Sequence, residues 1–256
     1  MSWRMVSSPV ASLTRLLRCC TSMMGGFMKM DVMRVGGRRR WLKHCSAWAL
    51  APWLAASPVL AQAAAATVAK APALVLVVGD SLSAEYGLKR GSGWVALLQE
   101  RLEREKVPAR VVNASVSGDT TAGGRTRLPA LLKQHQPTHV ILELGGNDAL
   151  RGQPLSATQA NLSAMARAAR EAGAQVLIAG MQLPPNYGRR YSEDFSRMYA
   201  TVAKEHGAAL VPFFLRNVAD VADPTALFQA DRIHPREEAQ PLMLDNVWPV
   251  LRPLLK

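Results

Sequence analysis

Cysteine is scarce in this 256-residue sequence. Its three residues, Cys19, Cys20 and Cys45, all lie near the N-terminus. The chain after residue 45 therefore has no disulfide, no thiol nucleophile and no zinc site built on cysteines. A chain of about 195 residues is long enough to bury its own hydrophobic core without such cross-links.

Long apolar runs are also lacking near the N-terminus. The run Ala47–Ala56 is too short to span a bilayer comfortably, and the basic residues Arg38–Arg40 and Lys43 precede it. The small or slender residues Val59–Ala61 follow, as a signal peptidase requires. This order is typical of a secretion signal.

We therefore predict three segments: a signal peptide or leader over 1–61, cleaved near Ala61, a short linker over 62–72, and one domain over 73–256. The expected location is the periplasm or the medium. A membrane anchor is the alternative for the leader. The sequence does not decide whether export follows the ordinary or the twin-arginine route. It also does not decide whether translation starts at the first Met or at a codon further downstream.

The strong positive charge belongs mainly to the leader. Residues 1–61 hold nine Lys or Arg and one acidic residue, Asp31, and so account for +8 of the formal net charge of +12. The remaining domain carries only a small excess of positive charge. A nucleic-acid partner is therefore not expected, since a basic domain surface is what such a partner needs.

Strand-like and helix-like segments alternate from residue 73 to the end. Short apolar runs typical of buried parallel strands lie near 73–78, 110–113, 140–144, 176–179 and 209–211, and helical patterns of ten to fifteen residues separate most of them. One predicted helix covers 125–135. This alternation predicts an α/β fold with a doubly wound parallel sheet, whose strand-to-helix loops meet at one edge.

Ser81 lies in a sharp turn directly after the first predicted strand. The turn reads Gly79-Asp80-Ser81, and ligands bind at this edge of open α/β sheets. A serine in this place is a candidate nucleophile. Asp80 and Ser81 are also favoured helix caps, so the turn by itself leaves both interpretations open.

Three further polar segments are expected at the same edge. Gly118 lies after the second strand, Asn147 and Asp148 lie after the third, and Asp231 precedes His234 by three residues near the C-terminus. Each has a simpler explanation alone: a turn glycine, a helix cap and a structural histidine. Their joint occurrence favours a reactive site.

Acyl transfer explains these residue types together. Ser81 needs a base to take its proton, and His234 is the side chain with a suitable pKa. Asp231, about one helical turn away, can fix the tautomer and orientation of the imidazole. The backbone N–H groups of Ser81 and Gly118 and the amide of Asn147 can stabilise an oxyanion. Glycine suits position 118 because a Cβ would crowd an N–H that points at the substrate.

The motifs resemble the four blocks of the SGNH (GDSL) hydrolases. Gly-Asp-Ser-Leu-Ser-Ala (79–84), Val-Asn-Ala-Ser-Val-Ser-Gly-Asp-Thr (112–120), Glu-Leu-Gly-Gly-Asn-Asp (143–148) and Asp-x-x-His (231–234) are most similar to the periplasmic thioesterase, arylesterase and lysophospholipase branch. The resemblance covers about residues 73–254. It implies a three-layer α/β/α flavodoxin-like fold with a central parallel sheet of five strands.

The same resemblance implies site residues and an activity. Ser81, His234 and Asp231 would be nucleophile, general base and orienting carboxylate, and Gly118 and Asn147 would complete an oxyanion hole with Ser81. The activity would be hydrolysis of fatty-acyl esters, acyl thioesters and lysophospholipids, with no cofactor and no metal. A carbohydrate O-acetylesterase and a non-catalytic periplasmic lipid-binding protein remain the alternatives.

Apolar loops at the strand ends are expected to bind the acyl chain, and the predicted lining residues are Ala149, Leu150, Leu183 and Pro184. We expect a monomer with at most transient membrane contact. Two residues depart from the family pattern, since Glu85 and Arg232 occupy positions that are commonly glycine. Both are expected to alter the rim of the site.

Overall fold

The protein is described by a computed structural model, which covers residues 71–256 apart from the side chains of Pro185 and Pro224. The predicted leader over 1–61, its cleavage site and most of the predicted linker over 62–72 lie outside the described residues.

Five parallel strands form the central sheet. In chain order these strands are β1 (Ala73–Gly79), β2 (Ala109–Asn113), β3 (His139–Glu143), β4 (Gln175–Ala179) and β5 (Ala209–Val211), and their spatial order is β2-β1-β3-β4-β5. β1 and β3 pair in parallel with Val77 opposite Ile141, and both strands are almost entirely buried. This is the flavodoxin-like order, so the predicted fold class is confirmed.

Helices cover both faces of the sheet. They are α1 (Trp94–Arg104), α2 (Thr121–His135), α3 (Gly146–Leu150), α4 (Leu155–Glu171), α5 (Arg189–His206) and α6 (Gln240–Leu251). Short 3-10 turns occupy Pro185–Tyr187, Pro224–Leu227, Glu237–Ala239 and Arg252–Leu255. α1 packs against α6, whereas α2, α4 and α5 pack in a row, which gives the predicted three layers. No helix within 71–256 is long and apolar enough to cross a bilayer.

Two helices differ from the sequence prediction. α2 begins at Thr121, four residues earlier than expected, because the Thr120 hydroxyl caps the N–H of Gly123 at 3.2 Å. Gly124 suits this first turn because a Cβ there would lie 2.4 Å from Leu144 Cδ1. The sequence did not predict α3. This helix has only five residues and begins with Gly146 directly after Gly145, so its hydrophobic pattern is too short to detect.

The carboxyl ends of β1 and β3 mark the point where the strand order reverses. β1 lies between β2 and β3, so the chain leaves β1 in one direction and β3 in the other. Open α/β sheets have a crevice at such a point. The turn after β1 and the short helix after β3 therefore meet at the same edge, together with the loop after β2.

Candidate active site

Ser81, His234 and Asp231 form a continuous hydrogen-bonded chain. Ser81 Oγ lies 2.9 Å from His234 Nε2, and His234 Nδ1 lies 2.7 Å from Asp231 Oδ2. The serine and the histidine are separated by 153 residues in sequence. Only the fold brings them together, and the arrangement is one in which a histidine can take a serine proton while a carboxylate holds its far nitrogen.

The Asp231 carboxylate is held by its own turn. Its Oδ1 accepts the backbone N–H of His234 at 3.0 Å and that of Ile233 at 2.9 Å. Hydrogen bonds from the His234 backbone and ring, and then from Ile233, lower the pKa of Asp231 to about 2. The carboxylate is therefore ionised at every pH at which an imidazole can act as a base.

A small hairpin positions the turn of Asp231 and His234 beside Ser81. Phe228 and Pro235 form an antiparallel bridge, and the N–H of Gln229 donates to the carbonyl of His234 at 2.8 Å. The ring of Tyr86 lies against the imidazole of His234, with 4.3 Å between the ring centroids. The imidazole is thus fixed by a backbone frame on one side and an aromatic ring on the other.

The turn after β1 distinguishes the two interpretations of Asp80 and Ser81. The next regular helix, α1, begins only at Trp94, and Ser81 Oγ contacts His234. Asp80 does shape the turn, because its Oδ1 accepts the N–H of Leu82 at 3.0 Å. The capping role therefore applies to Asp80 and not to Ser81.

The predicted oxyanion donors differ in whether they already donate a hydrogen bond within the protein. The N–H groups of Ser81 and Gly118 make no hydrogen bond within the described part of the chain. The amide nitrogen of Asn147, by contrast, donates to Asp80 Oδ2 and to the carbonyl of Asp119, both at 2.9 Å. Both of its hydrogens are engaged, so this amide has to turn from one acceptor before it can donate to an oxyanion.

Gly118 adopts a backbone conformation that favours glycine. Its φ is +77°, in the left-handed region. The protein itself leaves room for a Cβ, whose nearest neighbour would be Arg151 Nη2 at 3.5 Å. The backbone conformation therefore favours this glycine, while the crowding of the oxyanion donor by a Cβ stays a prediction.

Sequence reasoning missed a buried polar network beneath the site. Ser83 Oγ donates to Glu143 Oε2 at 2.7 Å and accepts the indole N–H of Trp94 at 3.1 Å. The backbone N–H of Asp80 also points to Glu143 Oε2, at 3.3 Å. Glu143, which follows the apolar run Val140–Leu142 at the end of β3, was the signal for this network.

Burial sets the ionisation of the two carboxyl groups in this network. Desolvation raises the pKa of Asp80 to about 6, against the lowering effect of its hydrogen bonds. Burial, and secondly the charge of Asp80, raise the pKa of Glu143 well above its usual range. Glu143 therefore holds its proton to a higher pH than an exposed glutamate does, and the pKa of Asp80 is displaced towards neutral pH.

Asp148 lies in α3 but caps the N-terminus of a different helix, α2. Its Oδ2 accepts the backbone N–H of Thr121 at 2.9 Å, and its Oδ1 accepts the Thr121 hydroxyl at 2.5 Å. This buried carboxylate fastens the N-terminus of α2 to α3. It thereby fixes the spacing between the loop that carries Gly118 and the helix that carries Asn147.

A groove of about 560 Å³ opens beside the Ser81–His234–Asp231 triad. Of the predicted acyl-binding residues, Leu150, Leu183 and Pro184 line it. Ala149 does not line the groove, because successive side chains of the helix α3 point in different directions and Ala149 is buried in the core. Met181 also lines the groove, and further aromatic and aliphatic walls that the sequence did not indicate are formed by Phe213, Leu215, Phe228 and Ile233.

Glu85 and Arg232 both lie in the left-handed region, with φ of 60° and 58°. This is the physical reason why glycine suits both positions. The Glu85 carboxylate accepts the backbone N–H groups of Gly91 and Gly93 at 3.0 Å, so it braces its own loop and does not face the groove. Arg232 does line the groove.

Two other histidines, His139 and His206, make structural contacts. His139 Nε2 lies 2.9 Å from the carbonyl of Leu254. His206 Nε2 lies 2.6 Å from Ser163 Oγ, a second serine–histidine pair, but no carboxylate among the described residues contacts this imidazole. Within 71–256, no group of three or more potential ligand side chains is arranged to hold a metal ion.

Comparison with known proteins agrees with this geometry. Residues 77–241 match the GDSL-like lipase/acylhydrolase family. The chain belongs to this family. Its members include esterase TesA of Pseudomonas aeruginosa, which is 58% identical over 181 residues, 71% of this chain and 89% of that protein. Thioesterase 1/protease 1/lysophospholipase L1 of Escherichia coli K12 is 45% identical over 181 residues, 71% of this chain and 84% of that protein.

Solved structures of this family have the same fold. The crystal structure of TesA superimposes with a TM-score of 0.68 at 57% identity, and covers 71% of this chain and 99% of its own. Esterase EstA from Pseudoalteromonas sp., inhibited by monoethylphosphonate, gives a TM-score of 0.67 at 40% identity, over 71% of this chain and 98% of its own. As a family member, this chain is an ester hydrolase.

Proposed function

We propose that the protein is an exported serine hydrolase that cleaves fatty-acyl esters, acyl thioesters and lysophospholipids through an acyl-serine intermediate. The contact of 2.9 Å between Ser81 Oγ and His234 Nε2 carries this proposal, because it joins a nucleophile to a base. The names of the relatives, which include esterase, thioesterase and lysophospholipase, support the same substrate classes.

The reaction begins at Ser81. Its Oγ forms a bond to the acyl carbonyl carbon as His234 Nε2 takes the hydroxyl proton, and the Asp231 carboxylate stabilises the resulting imidazolium. The carbonyl oxygen becomes an oxyanion that accepts the free N–H groups of Ser81 and Gly118. The amide of Asn147 adds a third hydrogen bond once it turns away from one of its present acceptors.

The second half of the reaction uses the same groups in reverse. The tetrahedral intermediate collapses, and the alcohol or thiol leaves with the proton from His234. A water molecule then attacks the acyl carbon and gives a proton to His234. The second tetrahedral intermediate collapses as His234 returns this proton to Ser81 Oγ, and the fatty acid is released. The apolar groove beside the triad, with Leu150, Leu183 and Phe228 in its walls, is suited to an acyl chain.

Labelling with a phosphonate tests the nucleophile. The full chain and its Ser81→Ala variant are treated with a p-nitrophenyl phosphonate and analysed by mass spectrometry. Ser163→Ala is the matched control, because Ser163 also contacts a histidine. We expect one adduct on the wild type and on Ser163→Ala, and none on Ser81→Ala. An adduct on Ser81→Ala, or esterase activity retained by it, would show that the nucleophile is wrongly assigned.

Chain-length profiling tests the substrate class. Turnover of p-nitrophenyl acetate is compared with that of the octanoate and of a lysophospholipid. The groove predicts faster turnover of the longer acyl esters. A strong preference for acetate would favour the carbohydrate O-acetylesterase instead, and no turnover of any acyl ester would favour the non-catalytic lipid-binding protein.

We also propose that residues 1–61 direct export and are removed near Ala61, leaving a monomeric periplasmic enzyme. The basic cluster followed by a short apolar run supports this assignment. Mass spectrometry of the protein from the periplasmic fraction gives the mature N-terminus, and gel filtration gives the oligomeric state. An intact leader in the membrane fraction would favour the anchor.

A further inference from the structure

Asp80 is a buried carboxylate beside the nucleophile that takes no part in proton transfer. It directly precedes Ser81, and only 3% of its surface is exposed. Burial raises the pKa of Asp80 to about 6, so that its charge at neutral pH lowers the stability of the fold. A carboxylate kept in such a place at a cost in stability is a candidate for a role in the reaction.

The two oxygens of the Asp80 carboxylate accept from different donors. Oδ1 accepts the N–H of Leu82 at 3.0 Å, whereas Oδ2 accepts the side-chain amide of Asn147 at 2.9 Å. The turn needs only the first of these bonds, and an asparagine supplies one such oxygen as well as an aspartate does. The second oxygen and the negative charge are therefore explained by the contact with Asn147.

The amide of Asn147 has two acceptors of unequal strength. One is the charged Asp80 Oδ2, and the other is the neutral backbone carbonyl of Asp119, also at 2.9 Å. A hydrogen bond to an ionised group is roughly twice as strong as one between neutral groups, and burial strengthens it further. When an oxyanion competes for one hydrogen of this amide, the bond to the carbonyl is therefore the one that is given up. That carbonyl belongs to the loop that also carries the N–H of Gly118.

The backbone of Asp80 is itself anchored to the structure beneath the site. Its N–H donates to Glu143 Oε2 at 3.3 Å, and its carbonyl accepts the N–H of Ala84 at 2.9 Å. Glu143 ends the central strand β3 and is fully buried. The carboxylate that contacts Asn147 is thus held at a fixed place relative to the sheet.

We propose that Asp80 is a positioning residue for the oxyanion hole. Its carboxylate holds one hydrogen of the Asn147 amide, so that the other hydrogen can turn from the Asp119 carbonyl to the oxyanion of the substrate. Asp80 acts through Asn147 and contacts no reacting atom. This role rests on the proposed acyl-serine reaction, because that reaction forms the oxyanion next to Ser81.

A double-mutant cycle separates this role from a structural one. Asp80→Asn, Asn147→Ala and the double variant are assayed with p-nitrophenyl octanoate at about pH 8, where Asp80 is ionised. Asp80→Asn should lower kcat by about 10²-fold and change KM by less than about twofold, because its single oxygen cannot serve both Leu82 and Asn147 and an oxyanion donor is misplaced. In the Asn147→Ala background, the same substitution should lower kcat by less than about threefold.

A transition-state analogue gives a second readout that does not depend on turnover. Octyl trifluoromethyl ketone accepts a bond from Ser81 Oγ to its carbonyl carbon while His234 takes the serine proton, and its carbonyl oxygen becomes an oxyanion. Its inhibition constant should rise in Asp80→Asn by about the factor by which kcat falls. Inhibition by octanoate, the product, should be unchanged, since the acyl groove is not altered.

Ser83→Ala is the matched control. Ser83 is buried in the same turn and donates to Glu143, but it does not contact Asn147. This variant should unfold at a lower urea concentration and keep kcat within about threefold of the wild type, since it removes a buried hydrogen bond and no oxyanion donor. Far-UV circular dichroism checks that each variant is folded.

Two results would overturn the positioning role in an active wild type. One is a kcat of Asp80→Asn within about threefold of the wild type. The other is an equal loss of kcat with and without Asn147, which would mean that Asp80 acts through its charge on His234. A wild type that hydrolyses no acyl ester would instead overturn the proposed function, and this role with it.

Discussion

Replacement of Asp231 by asparagine tests how the base is held. The substitution preserves size but removes the charge that faces His234. The amide that replaces the carboxylate either presents its NH₂ group to the imidazole or offers a weaker oxygen acceptor. In the first case His234 is driven to the tautomer whose Nε2 carries the proton, and this tautomer cannot accept the proton of Ser81.

The expected magnitude follows from the geometry. With 2.7 Å between Asp231 Oδ2 and His234 Nδ1, the carboxylate attracts an imidazolium by about 6 kcal/mol at an effective dielectric constant of about 20. The Asp231 side chain is 37% exposed, so water reduces this attraction. The wrong tautomer adds to the loss. We expect kcat to fall by about 10⁴, or about 5.5 kcal/mol of transition-state stabilisation.

The assay is steady-state hydrolysis of p-nitrophenyl octanoate, with far-UV circular dichroism as the check on folding. Asp223→Asn is the matched control. Asp223 lies in the same segment, and its pKa is also lowered by hydrogen bonds, from Thr225, but it makes no contact with the triad. Asp223→Asn should keep nearly full activity. A loss of less than tenfold for Asp231→Asn would mean that His234 is oriented by another group.

Three further substitutions have defined outcomes. Burial raises the pKa of Asp80 from 3.8 to about 6, so its folded form binds more protons than the unfolded chain between these values, and stability falls as pH rises through that range. The contribution of Asp80 to this fall in the free energy of unfolding is about 3 kcal/mol above pH 6. Urea unfolding of Asp80→Asn at a series of pH values should lack this contribution, and a pH profile identical to that of the wild type would refute the prediction. Arg232→Gly should raise Tm by about 2–4 °C, because it relieves about 1 kcal/mol of strain from the left-handed backbone conformation at this position. Arg232→Ala should not raise Tm, and equal Tm values for the two variants would contradict this reasoning. Gly118→Ala should lower kcat by about 10²–10³ with little change in KM, since the strained φ of +77° displaces an oxyanion donor, and an unchanged kcat would remove Gly118 from that role.

Much of the fold was predictable because its signals are local. The apolar runs of β1 and β3 are continuous in sequence, and alternation with helical segments implies a parallel sheet. The errors occurred where tertiary contacts override local propensity. Glycine has a low helix propensity, yet the lack of a side chain at Gly124 is what allows the start of α2 to approach Leu144.

The candidate site was predictable only as a set of residue types at strand ends. The topology brings three of the four segments to one edge, as parallel strands require, and the hairpin bridged by Phe228 and Pro235 brings the fourth there. The state of each group was not predictable. That the Asn147 amide is engaged by Asp80 and Asp119, or that Ala149 faces the core while Leu150 faces the groove, depends on partners that are distant in sequence or on the direction of a short helix.

The sequence by itself determined the α/β class, the family and the position of Ser81 after a buried strand, because these depend on hydrophobic pattern and on motifs that are contiguous. The tertiary structure decided how that serine is surrounded. It placed His234 within 2.9 Å of Ser81 across 153 residues, and buried Glu143 beneath the turn. Hydrogen-bond partners, burial and pKa values belong to the packed chain, since each is set by residues that only folding brings into contact.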